Sequence, residues 1–292
     1  MLIQEKISGS ETLLKLYVAI DDALTALQPQ LQAKHLPRDP RGGAPTLSAA
    51  EVLTSLVWGA WRGLTDKAKV YFHIQPYPRR ECPTLGAYSK FVAATTRDSG
   101  ELRALRALIL HRHRQAPGPY PSVLQDSTAI EVCHVARARQ HRTFRDWARK
   151  SKNGRGWWYG FKLHVPWDEA GRLCGCDLTT ATVDDRKLLD PLPRWMHDGL
   201  VVGDGGYLPQ AKARELAQRG VYLLTATRNN MRHVASQFQL ACLPLRHRVE
   251  ELCEFMTCAF GAVRTTHRAA HALPLHLLGC LLAYSLYKSL IA

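Results

Sequence analysis

The stretch Leu200-Val201-Val202-Gly203-Asp204-Gly205-Gly206-Tyr207 constrains the fold more than any other in the chain. It is a short apolar run with β-branched residues that ends on an acid and breaks at once into two glycines. A run of this length, bracketed by Gly, predicts a buried strand rather than a helix. Asp204 then stands at the carboxyl end of the strand, at the rim of a sheet, where the following backbone can turn away and leave room for a ligand. On local grounds the same Asp could simply open a turn, so partners elsewhere in the chain must decide.

Two partners meet the requirement. Ser122-Val123-Leu124-Gln125-Asp126-Ser127-Thr128 is another short strand-like run ending on an acid and small polar residues, and Arg246-His247-Arg248-Val249-Glu250-Glu251 opens a helical pattern with acids in its first turn. A strand-borne Asp, a later strand-borne Asp and then a helix-borne Glu is the order an RNase H-like sheet needs if it is to hold two divalent cations. Such cations, about 3.5 to 4 Å apart, share carboxylate oxygens, activate a water and stabilise a leaving oxygen in phosphoryl transfer.

Further words follow in a fixed order: Gln125-Asp126-Ser127, Cys133-His134-Val135-Ala136-Arg137-Ala138-Arg139, Gly156-Trp157-Trp158-Tyr159-Gly160-Phe161-Lys162-Leu163-His164, Val183-Asp184-Asp185-Arg186, Gly203-Asp204-Gly205-Gly206-Tyr207, Thr266-His267-Arg268 and Ala283-Tyr284. Together they resemble the bacterial insertion-sequence transposases, most closely insertion-sequence family 982, whose members are DDE enzymes with an RNase H-like core. The resemblance runs from about Pro121 to the C-terminus; the N-terminal third matches only in helical character. It implies metal-dependent DNA strand cleavage and strand transfer, with Asp126, Asp204 and Glu250 as both catalytic and metal-binding residues. The implied cofactor is Mg²⁺, two ions, with Mn²⁺ able to substitute. The implied partner is double-stranded DNA, as terminal inverted repeats and as target, engaged by a homodimer. One position departs from the family: Gly205 stands where a Lys is usual between the second Asp and the Gly-Tyr.

With 292 residues and 46% apolar content, the chain can build one or two domains with a real core. Its 39 basic against 25 acidic residues give a formal charge of +14, which favours a polyanion partner. The eight cysteines show no CxxC repeat, so reduced thiols and a cytoplasmic location, on the nucleoid when DNA is bound, are expected. Cys174-Gly175-Cys176 reads as buried structure, its thiols on one face of a strand. The most apolar late run, Leu273 to Tyr287, contains Pro274 and His276 and is too short and interrupted to span a bilayer.

In chain order, Leu13, Tyr17, Ile20, Leu24 and Leu27 recur at helical spacing. A basic, Pro- and Gly-rich connection, Gln28 to Thr46, leads to Ser48-Ala49-Ala50-Glu51, a capping box with apolar Leu47 before it and a helical face after it. Two more helical stretches are predicted near Leu85 to Thr95 and Gly100 to Arg114, making residues 1–116 an all-helical domain for DNA-end binding or dimer contact. Ala116 to Pro121, dense in Pro and Gly, is the predicted boundary. Residues 117–292 are then the catalytic domain with C-terminal helices, of α/β (α+β) class, built on a mixed five-stranded sheet with flanking helices.

Arg137, Arg139, Arg142, Arg145, Arg149, Lys150, Lys152, Arg155 and Lys162 make the most basic segment, with Trp147, Trp157, Trp158 and Tyr159 interleaved. Bases neutralise phosphates, and exposed aromatics stack on unpaired bases at a cleaved end. Alternation along Trp157 to Val165 assigns Trp157, Tyr159, Phe161, Leu163 and Val165 to the core, leaving Trp158, Lys162 and His164 to face DNA. Tyr207, Arg246, Arg248, His267 and Arg268 complete the expected DNA contacts. Asp184 and Asp185 rival the metal-site acids but precede Leu188 and Leu189, which suits helix capping.

The acid on the third element follows from helix geometry. Val249, Leu252, Cys253, Met256, Ala259 and Phe260 define one face, and at about 100° per residue Glu250 borders it while Glu251 and Glu254 point away. Three other readings stay open: a degenerate transposase that only binds ends, an ordinary nuclease with the same acids, and a covalent mechanism through Tyr207.

Overall fold

The computed structural model describes residues 9–32, 47–75, 85–97, 99–115, 122–185, 198–203, 210–225, 243–263, 267 and 269–290. Asp204, Gly205, Tyr207, Arg268, the side chain of Arg246 and the expected boundary at 116–121 lie outside them. In order, the elements are α1 (Gly9–Gln32), α2 (Ala49–Trp61), α3 (Lys67–Ile74), α4 (Tyr88–Arg97), α5 (Ser99–Gln115), β1 (Ser122–Cys133), β2 (Arg149–Asn153), β3 (Gly156–Trp167), β4 (Asp177–Thr180), β5 (Gly199–Gly203), α6 (Gln210–Ala217), β6 (Val221–Thr225), α7 (Leu243–Ala259) and α8 (Ala272–Leu290). By their contacts they divide into two units, Met1–Ile109 with Cys258–Ala262 and Thr266–Ala292, and Leu110–Thr257 with Val263–Thr265.

The first unit is helical. The Ser48 hydroxyl accepts from Glu51 N at 3.2 Å while the Glu51 carboxylate accepts from Ser48 N at 2.7 Å, so the predicted capping box starts α2. Almost all of α2 is buried, as expected of a helix apolar on every side. It packs against α1 and α8, and at Gly59 against α3, where an added methyl would strike the Val70 side chain. The short α3 was not legible as a separate helix; its only signal is Asp66, whose side chain caps Ala68 N at 2.7 Å. The C-terminal helix α8, expected with the catalytic domain, groups instead with the N-terminal helices, because its Leu273, Leu277, Leu281, Leu282 and Tyr284 are buried in that core. Among the described residues no helix is long and apolar enough to cross a membrane.

The second unit holds the sheet, in the order β2-β3-β1-β5-β6 with β4 also paired to β3. Without β2 this is the RNase H-like arrangement, two antiparallel neighbours on one side of β1 and two parallel strands on the other. The sheet thus has six strands, not five. The extra one, Arg149-Lys150-Ser151-Lys152-Asn153, lies within the most basic segment, where no strand is predicted, and pairs with the start of β3. The strand expected to carry Cys174 and Cys176 is confined to Asp177–Thr180, with Leu173 making one isolated bridge to Trp167. Cys174 and Cys176 therefore do not sit in a strand. At Gly160 a methyl would fall on the Ile130 carbonyl oxygen, so a glycine is required where the β1–β3 register shifts between Glu131 and Cys133. Val123, Val201, Leu216 and Val221 form one core cluster, which seats α6 on the face of β1 that carries its odd-numbered side chains.

Candidate active site

Asp126 belongs to the other face of β1. Its cross-strand partner is Val165, and Thr128 faces Leu163, so these side chains project together. One carboxylate oxygen, Oδ1, accepts from Ser127 N at 2.7 Å; the second, Oδ2, lies 3.9 Å from Cys253 Sγ on α7. Glu250 is one turn before Cys253, and positions three apart share a helix face. Val249, Leu252, Cys253 and Met256 are buried as the sequence predicts, but α7 starts at Leu243, so the acids are not in its first turn, and Glu250, Glu251 and Glu254 are all exposed. The Glu250 side chain is 59% exposed and its Oε2 lies 4.0 Å from His247 Nδ1.

The Cys253 thiol registers both acids. Burial pushes it up to about 12, and the Asp126 and Glu250 carboxylates both push in the same direction, whereas a hydrogen bond from the Thr128 hydroxyl favours the thiolate. Of the two acids, Asp126 is the one in contact with the sulfur, at 3.9 Å. Carboxylate oxygens of this kind are the hard donors that a divalent cation takes. Among the described residues no group of three His, Cys, Asp or Glu side chains is close enough to hold a metal by itself. Sequence reasoning placed Cys253 on the packing face and gave Thr128 no role. The available signals were spacing alone, two residues after Asp126 on a strand and three after Glu250 on a helix.

The basic segment is exposed where DNA contact was expected: Arg137, Arg139, Arg142, Arg145, Arg149, Lys150, Lys152 and, on α7, Arg248 are all exposed. The assignment of the two tryptophans is reversed, while Tyr159, Phe161, Leu163 and Val165 are buried as expected. Trp158 is 4% exposed and Trp157 63%. The cause is the sheet: from Trp158 onward β3 is covered on both faces, so the two-residue period disappears, and only its first residues, flanked by β2 alone, reach solvent. Lys152 pairs across from Trp157 and shares its face.

Lys162 and His164 are likewise placed differently from expectation. Lys162 pairs with Ala129 and His164 with Ser127, which puts both on the face opposite Asp126. There the Lys162 ammonium donates to Asp185 Oδ1 at 3.0 Å and to the Val183 carbonyl at 3.1 Å. His164 is 1% exposed and its Nε2 shares a hydrogen bond of 2.8 Å with Thr179 Oγ1. Burial drives His164 down to about 4, so the imidazole is neutral and cannot pair with phosphate. Asp185 is thus the counter-ion of Lys162. His267 lies in the helical unit, its ring 5.0 Å from His276; burial and the His276 ring bring it to about 4.

Residues 122–270 match the family described as "Transposase DDE domain", and the chain belongs to that family. No curated protein matches the sequence. Among solved structures, the piggyBac transposase synaptic complex with hairpin DNA is similar at 12% identity with a TM-score of 0.51, over 98% of this chain and 75% of that one. A pre-cleavage Mos1 transpososome (11% identity, TM-score 0.25, 89% and 85% covered) and a Mos1 paired-end complex (10%, 0.25, 90% and 85%) are also matched. The piggyBac likeness is one of fold, and it agrees with the RNase H-like sheet.

Proposed function

We propose that the chain is a transposase of insertion-sequence family 982 type, which cleaves the ends of its DNA element and joins them to a target through Asp126, Asp204 and Glu250. The observation that carries the reading is the parallel register of β1 and β5. Leu124 pairs with Val202, Asp126 follows Leu124 by two residues in β1 and Asp204 follows Val202 by two in the sequence, and Cys253 of α7, three residues after Glu250, lies 3.9 Å from Asp126 Oδ2. Asp126, Asp204 and Glu250 would hold two Mg²⁺ or Mn²⁺ ions, which supply an activated water or DNA 3′-hydroxyl and a stabilised leaving 3′-oxygen.

The remaining work belongs to the chain's own side chains. The exposed arginines and lysines of 137–152 neutralise backbone phosphates of double-stranded DNA, and Trp157, in place of Trp158, offers a ring to unpaired bases at the cut end. Two copies of the chain, one for each element end, complete the reading. No step calls for a bond between protein and DNA.

Asp126→Asn, Asp204→Asn and Glu250→Gln should each abolish metal-dependent nicking of the element's ends while leaving end-binding within a few-fold of wild type. An amide keeps the shape but lacks the charge a cation needs. Glu251→Gln should be nearly silent. Nicking at wild-type rates by any of the first three variants would remove that residue, and end-binding without nicking by the unaltered protein would favour a degenerate, binding-only transposase.

A further inference from the structure

A pocket of about 690 Å³ lies wholly within the helical unit, lined by residues of α2, α3, α4 and α8. Its size suits a small organic ligand, and its lining is mixed: Val70, Val92 and Leu275 are apolar, while Lys67, Tyr88 and His271 add a cation, a ring and an imidazole. Beside it two aromatic rings face solvent. Phe72 is 60% exposed and Tyr88 39%, and their planes are nearly parallel, 14° apart at a centroid distance of 6.4 Å. Both are held in place, because buried Tyr71 meets each of them edge-on at 5.4 Å and its own hydroxyl donates to the Gly86 carbonyl at 3.0 Å.

The charge around the rings indicates what they face. Among the described residues of 62–96, Arg62, Lys67, Lys69 and Lys90 stand against one acid, Asp66, whose carboxylate caps Ala68 N at 2.7 Å. Lys69 is three residues before Phe72 on α3 and shares its face. The half-buried Lys67 ammonium donates to the Thr95 hydroxyl, a neutral acceptor, at 2.7 Å, and burial holds it below its ordinary range, a cost that an anion beside it would offset. Aromatic rings set among cations are the combination that binds unpaired nucleotides, since every base has a π-face and every phosphate a charge. We propose that the helical unit carries a single-strand site: Phe72 and Tyr88 stack with unpaired bases of a DNA strand, one nucleotide enters the pocket, and Lys67 and Lys69 meet the phosphates. The proposal rests on the reading of the chain as a DNA-cleaving transposase, whose cut ends supply such nucleotides, and the site is distinct from Trp157, which belongs to the other unit.

The test uses the full-length protein and a short oligothymidine in which one base is photoreactive iodouracil, crosslinked by long-wavelength light and mapped by mass spectrometry. Crosslinks at Phe72 or Tyr88 are expected; crosslinks confined to the peptide of Trp157 overturn the proposal. This measurement needs no variant, so it does not depend on the folding of one. In a fluorescence-anisotropy titration, Phe72→Ala and Tyr88→Ala should each raise the Kd for oligothymidine by about tenfold and leave that for a blunt duplex within about twofold. An unchanged Kd for oligothymidine, or equal losses on both DNAs, overturns the single-strand site. A Phe72→Ala protein whose oligomeric state changes while its oligothymidine Kd does not would overturn it in favour of contact with a second copy of the chain. If the wild-type protein binds neither oligothymidine nor duplex, the DNA reading fails and the site with it; if it binds both and only Trp157→Ala weakens oligothymidine, the site in the helical unit alone falls.

Discussion

Burial drives the His164 imidazole down to about 4, against the pull of Asp185 and with the push of Lys162. In the unfolded chain it returns to about 6.5, so the unfolded state binds the extra proton first as pH falls. The stability tied to the neutral ring is fully present above 6.5 and is lost as pH drops towards 4. His164→Gln, which can still hydrogen-bond Thr179, should make the loss of stability between those limits shallower by up to about one proton per molecule. Urea denaturation at pH 7 and pH 4.5 measures this; an identical slope in wild type and variant would mean that the ring is protonated in the folded protein. This residue also marks a limit of the sequence. Asp126 and Glu250 stand out in the sequence because one follows an apolar run and the other borders an apolar helix face, although β1 continues past Asp126 to Cys133 rather than ending on it. A lone His or Trp on a strand fits many roles, and the strand's neighbours choose between them.

Among the elements, β1, β5, β6 and the helices α2, α4 and α5 were legible, since each carries its own period, cap or Gly bracket. The strand β2 was not. Arg149-Lys150-Ser151-Lys152-Asn153 has no apolar residue, and its extended form comes from the β3 backbone beside it rather than from its own composition. The result is a two-stranded ribbon whose end carries Lys150, Lys152, Arg155 and Trp157 to solvent. Replacing Arg145, Arg149 and Lys152 together by Ala should flatten the slope of log affinity against log salt by up to about three, because each neutralised phosphate contributes about one counterion. Trp157→Ala should weaken binding to DNA with unpaired terminal bases by about 1–3 kcal/mol and leave intact duplex nearly unaffected. Trp158→Ala, by contrast, should lower the melting temperature. An unchanged salt slope, or equal effects of Trp157→Ala on both DNAs, would return the ribbon to plain solvated surface.

At the scale of the whole chain, the Pro- and Gly-rich stretch near residue 116 marks a break in sequence, and whether it also bounds a folding unit depends on what covers α2. The helix is buried on nearly every side, and α8 supplies part of that cover from the far end of the chain. Tyr284, fully buried, meets the ring of Phe260 edge-on at 6.0 Å, and Phe260 in turn meets Trp61 of α2 at 6.1 Å. Removing α8 would uncover the side of α2 it packs on, where Trp61 meets Tyr287 at 5.6 Å, and would return its own buried leucines to water, at about 1.5–3 kcal/mol for each apolar side chain, which exceeds what a small helical unit has in reserve. A fragment ending at Gln115 should therefore be helical at best locally, melt without a cooperative transition and bind hydrophobic dyes. The reason was hidden from the sequence: Leu273 to Tyr287 reads as a generic apolar helix, and nothing in its spacing says which helix it covers. Circular dichroism melting of the 1–115 fragment beside the full chain decides the point. A sharp cooperative melt in the fragment would restore residues 1–116 as an independent domain. A broad one, sharpened when a peptide of residues 267–290 is added in trans, would establish that the two ends of the chain fold as one helical body.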